Sequence, residues 1–337
     1  MTATSGRNEV GAEVDTALVG RKPRPTRAER LRQLVPVIVL VLMYAITVGI
    51  APGYLKAPQI GSLLQLASIL GIAAVGQTLV ILVGGIDLSV GAVVTMTNLM
   101  AAAIIANRDT ALPMALIVVL GIGALVGLGN GLLIQYLKLP DLVATLATMT
   151  IVVGVGLLFT HGSPKGHSSP ALNALVTQRF LGVLTGGVVI WAIVSAIVII
   201  FLRSTAGGRY VYAVGLNREA SRYAAVPVTR TVILLYVASG LTAALAGFLL
   251  TGYTGSAYLA SGDTYQMQTI AAVILGGTSM FGGRGGYGGT IIGVLITVLL
   301  VSALRVVGIV QAGQNIAYGI ILLSMLMLLT RMARRSA

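Results

Sequence analysis

From Leu34 onward the chain reads as long apolar runs separated by short polar or glycine-rich joints. The run from Leu34 to Ala51 shows no period-two alternation. A strand of a membrane β-barrel would alternate over about ten residues, whereas a helix crossing the hydrocarbon core needs about twenty predominantly apolar ones. The pattern therefore predicts an all-α polytopic membrane protein. Apolar segments fall near residues 34–51, 61–83, 90–107, 112–137, 142–160, 183–203, 231–253, 267–281, 288–305 and 313–330, which makes about ten transmembrane helices. Segment 267–281 is short and ends in glycines, so it reads either as a full crossing or as a re-entrant hairpin.

Composition agrees with this reading, because only 9% of the 337 residues are charged and 56% are hydrophobic, against roughly 25% charged in soluble domains. With no cysteine and two histidines, a disulfide framework, a thiol nucleophile and a structural zinc site drop out. A formal charge of +13 would point a soluble protein toward nucleic acid, but here the basic residues sort by topology. Ten crossings put both termini on one side. That side receives Arg7, Arg21, Lys22, Arg24, Arg27, Arg30 and Arg32, then Lys138, Arg203, Arg209, Arg218, Arg222, Arg230 and Arg284, and finally Arg331, Arg334 and Arg335. Lys56, Arg108, Lys165, Arg179 and Arg305 remain for the other. Cytoplasmic loops collect Lys and Arg, so both termini are expected in the cytoplasm, with the lipid bilayer as the partner and no nucleic acid. The basic lead is too long for a secretory signal and no A-x-A site follows the first run, so that helix is expected to be retained. Residues 1–33 read as a disordered basic cytoplasmic tail, 34–331 as the transmembrane domain and 332–337 as a cytoplasmic C-terminal tail.

Two joints break the apolar pattern in a way that lipid-facing helices do not tolerate. The first, Gly84-Gly85-Ile86-Asp87-Leu88-Ser89-Val90-Gly91, carries a carboxylate. An Asp at mid-span costs roughly 2.5–3.5 kcal/mol on insertion scales, so Asp87 needs a partner or water. Three roles stand open: the cap of a helix beginning at Leu88, a gating or pathway residue, or a substrate contact. The second break, residues 276–289, holds eight glycines in fourteen residues. It fits close helix packing through small residues as well as a discontinuous helix beside a transport pathway. Neither run supplies the G-x-x-x-x-G-K-[ST] of a phosphate-binding loop, so no nucleotide and no other cofactor is expected on this chain. Val83-Gly84-Gly85 and Leu275-Gly276-Gly277 place one such break in each half, which hints at an internal repeat. Gly84, Gly85, Asp87 and Ser89, with Gly276, Gly277, Thr278 and Phe281, are the pathway or gating candidates.

The one substantial loop on the basic side, residues 204–230, has Asn217 as an N-cap, a helical stretch over 218–225 and Pro227 as its stop. A short surface helix follows, either as mere basic punctuation or as a knob that docks into a soluble partner.

GGIDLSVG, the loop AVGLNREASRYAAVPV and LGGTSMFGGRGGYGGTIIGVLI together resemble the permease subunits of bacterial ABC importers for monosaccharides, the ribose/xylose/galactose class, over residues 34–331. The resemblance implies a ten-span subunit of the bacterial plasma (inner) membrane that pairs with a second copy or a paralogous permease. It also implies cytoplasmic ATPase subunits that use the ATP and an extracytoplasmic solute-binding protein. The 213–228 loop is then similar to the coupling helix that enters the ATPase, with Gly215, Asn217, Arg218, Glu219, Ala220, Arg222 and Pro227 as its residues. Many members of that family carry a glycine where this chain has Ala225.

An ion-coupled secondary transporter would normally carry intramembrane acidic, His or Lys relays, and the spans offer little beyond Asp87. An intramembrane enzyme would need a base, nucleophile or metal cluster. His161 and His167 fall in a predicted outer loop, where surface polarity accounts for them.

Overall fold

The computed structural model describes residues 27–180, 182–317, 319, 320 and 323, with side chains from Leu34 onward. Two units divide the chain, Met1–Val35 and Pro36–Ala337. The described backbone of the first is helical from Arg27. Of the expected tails, residues 1–26 and 332–337 lie outside the described residues, whereas residues 27–33 are helical rather than disordered because they form the first turns of α1.

The elements in order are α1 (Arg27–Ile50), α2 (Ala57–Leu82), α3 (Val90–Ile105), α4 (Leu112–Tyr136), α5 (Asp141–Thr160), α6 (Pro170–Thr177), the two-residue strands β1 (Arg179–Phe180) and β2 (Leu184–Thr185), α7 (Gly186–Ser204), α8 (Ala206–Leu216), α9 (Arg218–Tyr223), α10 (Val228–Thr254), α11 (Asp263–Leu275) and α12 (Tyr287–Val306). Six of these helices, α2, α4, α5, α7, α10 and α12, are long and apolar enough to cross a membrane. The apolar part of α1, Leu34–Ile50, and α3 are shorter. Segment 267–281 needs correction at both ends. Its helix begins at Asp263 and stops at Leu275, because the glycine pair that follows caps it. Thirteen residues at about 1.5 Å each reach about 20 Å, short of a ~30 Å hydrocarbon core. Segment 313–330 falls largely outside the described residues.

Helices in lipid gain no hydrophobic driving force from one another and pack through small residues. The α4·α10 contact shows this. Gly123, Gly127 and Gly131 recur every fourth residue on α4, and a Cβ at each would run into Gly240, Tyr236 or Ile233 of α10. Ala115, Val119 and Ile134 extend the same buried stripe. On its other sides α10 meets α2 and α3. Gly76 of α2 leaves room for Ser239 and Thr242, and Gly71 for the Trp191 indole. Polar staples add direction to this packing. Trp191 Nε1 donates to Tyr287 Oη at 2.9 Å, Tyr287 Oη donates to the Gly71 carbonyl at 2.8 Å, and the Thr78 and Thr290 hydroxyls meet at 3.0 Å.

Connections alternate between two ends. At one, Gly283 N donates to Leu82 O at 2.8 Å and the Tyr212 hydroxyl to Gly285 O at 3.0 Å. At the other, Asn107 N donates to His167 O at 3.3 Å, Ser168 N to Gly255 O at 2.9 Å, and Ala171 N to Asp109 Oδ1 at 2.9 Å. This separation matches the two sides into which the basic residues sort the loops.

Candidate functional site

Both glycine breaks end their helices by the same device. Gly84 N donates to Ile81 O and Gly85 N to Val80 O, and in the second break Gly277 N donates to Ile274 O and Thr278 N to Val273 O. Gly84 has φ +77 and Gly277 φ +83. This is a Schellman cap, which needs a left-handed residue that glycine supplies without a Cβ penalty. The equivalent residues are thus Gly84 and Gly277, one position away from the pairing of Gly84 with Gly276 that the sequence invites. A cap found at a third or more of helix ends does not by itself make a repeat.

Asp87 does not cap a helix beginning at Leu88. Helix α3 starts at Val90, with Ser89 in the cap position and no side-chain cap bond. Instead Asp87 Oδ1 accepts from Ser89 N at 2.9 Å and from the Ser89 hydroxyl at 2.6 Å, in a local turn that competes with the helix for its start. Its Oδ2 accepts from the Ser239 hydroxyl of α10 at 2.7 Å. Asn130 Nδ2 of α4 in turn donates to Ser89 Oγ at 2.9 Å. Asp87, Ser89, Asn130 and Ser239 are all buried. The carboxylate therefore fastens the first break to α4 and α10.

The second break folds into a tight loop on which Ser279 N donates to Arg284 O at 2.9 Å and Gly286 N to Thr278 Oγ1 at 3.3 Å. Thr278 is buried beneath it, Gly276 presses on the Gly289 backbone, and Phe281 stands exposed at its tip. The two breaks touch through the Gly283–Leu82 hydrogen bond, and a Cβ on Gly84 would lie 3.5 Å from Phe281 O.

The 204–230 loop comes to the same place. It holds two helices where the sequence predicts one. Helix α8 buries Val211 and Val214 in the core shared with Val75, Leu79 and Val80 of α2. Burial raises the Tyr212 phenol above its ordinary range, with Arg203 partly opposing the shift, so it stays protonated and donates to Gly285. Gly215 sits bare against Leu82 O and Gly283. Asn217 is the predicted cap, its Oδ1 accepting from Glu219 N at 3.0 Å and Ala220 N at 2.9 Å. Helix α9 ends at Tyr223 rather than 225, because Ala225 takes φ +56. Pro227 occupies the cap of α10. Glu219, Ala220, Arg222 and Tyr223 are exposed, while Arg218 reaches inward, donating to Val83 O at 3.1 Å and lying 3.9 Å from Asp141 Oδ2.

The structure thus brings Gly84, Gly85, Gly215, Arg218, Thr278 and Phe281 to one end and buries Asp87 and Ser89 just inside it. Sequence reasoning missed Asn130, Ser239 and Asp141. The first two were visible as isolated polar residues inside apolar runs, and the third as the acid that opens α5. His161 and His167 lie at the opposite end, and among the described residues no group of three His, Cys, Asp or Glu could hold a metal.

Residues 59–330 match the family described as branched-chain amino acid transport system / permease component. The chain belongs to this permease family. It is 37% identical to the ribose import permease protein RbsC of Haemophilus influenzae, an alignment that covers 85% of this chain and 89% of that one. It is also 37% identical to RbsC of Bacillus subtilis, over 87% and 91%, and 38% identical to the fructose import permease protein FrcC of Rhizobium meliloti, over 81% and 78%. No solved structure matches it. This permease is accordingly a multi-pass membrane transport subunit and not an enzyme.

Proposed function

We propose that the permease is the membrane subunit of an ATP-binding-cassette importer and forms the translocation pathway for a monosaccharide or a similar small polyhydroxylated solute. The observation that carries this reading is the similarity to ribose and fructose import permeases over more than four-fifths of the chain. In this reading ten segments cross the bacterial inner membrane, the short α11 completing its pass with the glycine-rich loop that follows it, and both termini and the end that gathers the two breaks lie in the cytoplasm. A second copy or a paralogous permease completes the pathway. Cytoplasmic ATPase subunits hydrolyse the ATP, and an extracytoplasmic binding protein delivers the solute.

Helix α9 is the part that grips the ATPase. Asn217 holds its first turn rigid, and Glu219, Ala220 and Arg222 present an exposed face. A rigid contact is what coupling needs, since a motor biases the permease only by contacting its two states differently. Gly84 and Gly277 end α2 and α11 at the level where the grip is applied, and Gly85, Gly276, Thr278 and Phe281 complete the pathway or gating candidates beside them. Asp87 and Ser89 act as the latch that keeps the inner ends of α3, α4 and α10 together, not as contacts for the solute. Affinity isolation of the tagged permease from its native membrane should bring down an ATP-hydrolysing protein. Isolation of the permease alone, in a detergent that keeps it folded, would contradict the reading.

A further inference from the structure

We propose that Arg218 is a positioning residue that carries displacement of α9 into the Gly84–Gly85 break and the start of α5, and that it is not a contact for the ATPase. The inference rests on the ATP-importer reading and names the route that reading leaves open.

One guanidinium holds the ends of three helices. Arg218 is the first residue of α9. Its Nη2 donates at 3.1 Å to the carbonyl of Val83, the residue that closes α2. The same nitrogen lies 3.9 Å from Oδ2 of Asp141, the first residue of α5, in the one ion pair among the described residues. Gly85 sits directly on this carboxylate. A Cβ there would lie 2.9 Å from Asp141 Oδ2 and 2.7 Å from the Tyr236 hydroxyl of α10. That hydroxyl is buried without a hydrogen-bond partner among the described residues, so α10 holds a donor that Asp141 can take up when Arg218 withdraws. Two alternative partners for one acid make a two-state element of the kind that transmits a shift between sites. Among the described residues helix α9 offers no other side-chain bond of this reach, since Asn217 and Ser221 bond within the loop. A planar guanidinium can hold two acceptors at once, whereas an ammonium is a single point charge.

The test uses the complex of permease and ATPase in nanodiscs. The chain has no cysteine, so Leu88→Cys, half-buried in the break, reports its movement through the rate of maleimide labelling with and without ATP and vanadate. We expect a change of about fivefold or more in the otherwise native chain, its loss to within twofold in Arg218→Ala, and an intermediate change in Arg218→Lys, with ATPase co-purification and vanadate trapping intact in all three. A change that persists in Arg218→Ala would overturn the proposal, as would a break that does not respond to ATP in the native chain. Loss of co-purification in Arg218→Ala would overturn it too, placing the residue on the docking surface. If no ATPase binds the native chain, it is the ATP-importer reading itself that has failed.

Discussion

At Ala225 the backbone adopts φ +56 with a Cβ in place, a conformation that costs an L residue roughly 1–2 kcal/mol and a glycine almost none. Glycine gives back about 0.4–1 kcal/mol through the greater freedom of its unfolded chain. Ala225→Gly should therefore stabilise the loop by about 0.5–1 kcal/mol, raising the thermal midpoint of the purified permease by about 1–2 °C; a lowered midpoint would mean the turn is held by something other than backbone preference. Asp87 makes the larger claim. Asp87→Asn keeps an acceptor for Ser89, and the Ser239 hydroxyl can turn to accept from the new amide. Asp87→Leu strands the Ser89 amide, the Ser89 hydroxyl and the Ser239 hydroxyl, each worth about 1–3 kcal/mol when buried and unpaired. The asparagine variant should keep most of its yield and uptake, and the leucine variant should lose its monodisperse peak in size-exclusion chromatography. Equal behaviour of the two would show that the latch contributes nothing. That Asp87 needed a partner could be read from its apolar surroundings. Which partners it has could not, because Asn130 and Ser239 lie 41 and 152 residues from the groups they meet, and only the packing of α4 and α10 brings them there.

Among the elements, the long apolar runs declared α2, α4, α5, α7, α10 and α12 directly, since a run of that length without period-two alternation satisfies its backbone in lipid as a helix and not as a barrel strand. The small elements were harder. Helix α6 opens with Ser169 accepting from Leu172 N and with Pro170 at its first position, a readable start signal hidden in a polar loop. Helix α8 carries Gly207, Gly208 and Gly215, residues that argue against a helix. It forms because Val211 and Val214 find the inner core. For α4 and α10 the glycines are the contact. Gly127→Val puts side-chain atoms where the Tyr236 carbonyl lies, and overpacking of this kind costs about 1–3 kcal/mol or more. It should cut the folded yield severely, while Gly129→Val, with open space around it, should be silent. For α9, Glu219→Arg with Ala220→Asp alters only exposed positions. We expect near-normal amounts of permease in the membrane but no ATPase co-purification and no uptake. Retained binding and uptake would return the loop to basic punctuation.

Over the whole molecule, the breaks and the 204–230 loop gather at one end and the His167 and Ser256 segments at the other. Ser168 and Ser221 are buried, so topology is better probed at exposed Ser163 and Ala224. A cysteine at position 163 should react with an impermeant maleimide in intact cells, and one at position 224 only after permeabilisation; the reverse pattern would invert the orientation and remove α9 from reach of a cytoplasmic motor. The central claim is that solute crosses through this chain at the expense of ATP hydrolysed by a partner. Its most direct test is uptake of radiolabelled ribose by proteoliposomes that hold the permease with its co-purified ATPase, with the binding protein added outside and ATP sealed inside. The account predicts accumulation that requires both ATP and the binding protein and stops in the Glu219→Arg, Ala220→Asp variant. Accumulation by the permease alone, driven by an imposed proton or sodium gradient, would contradict it.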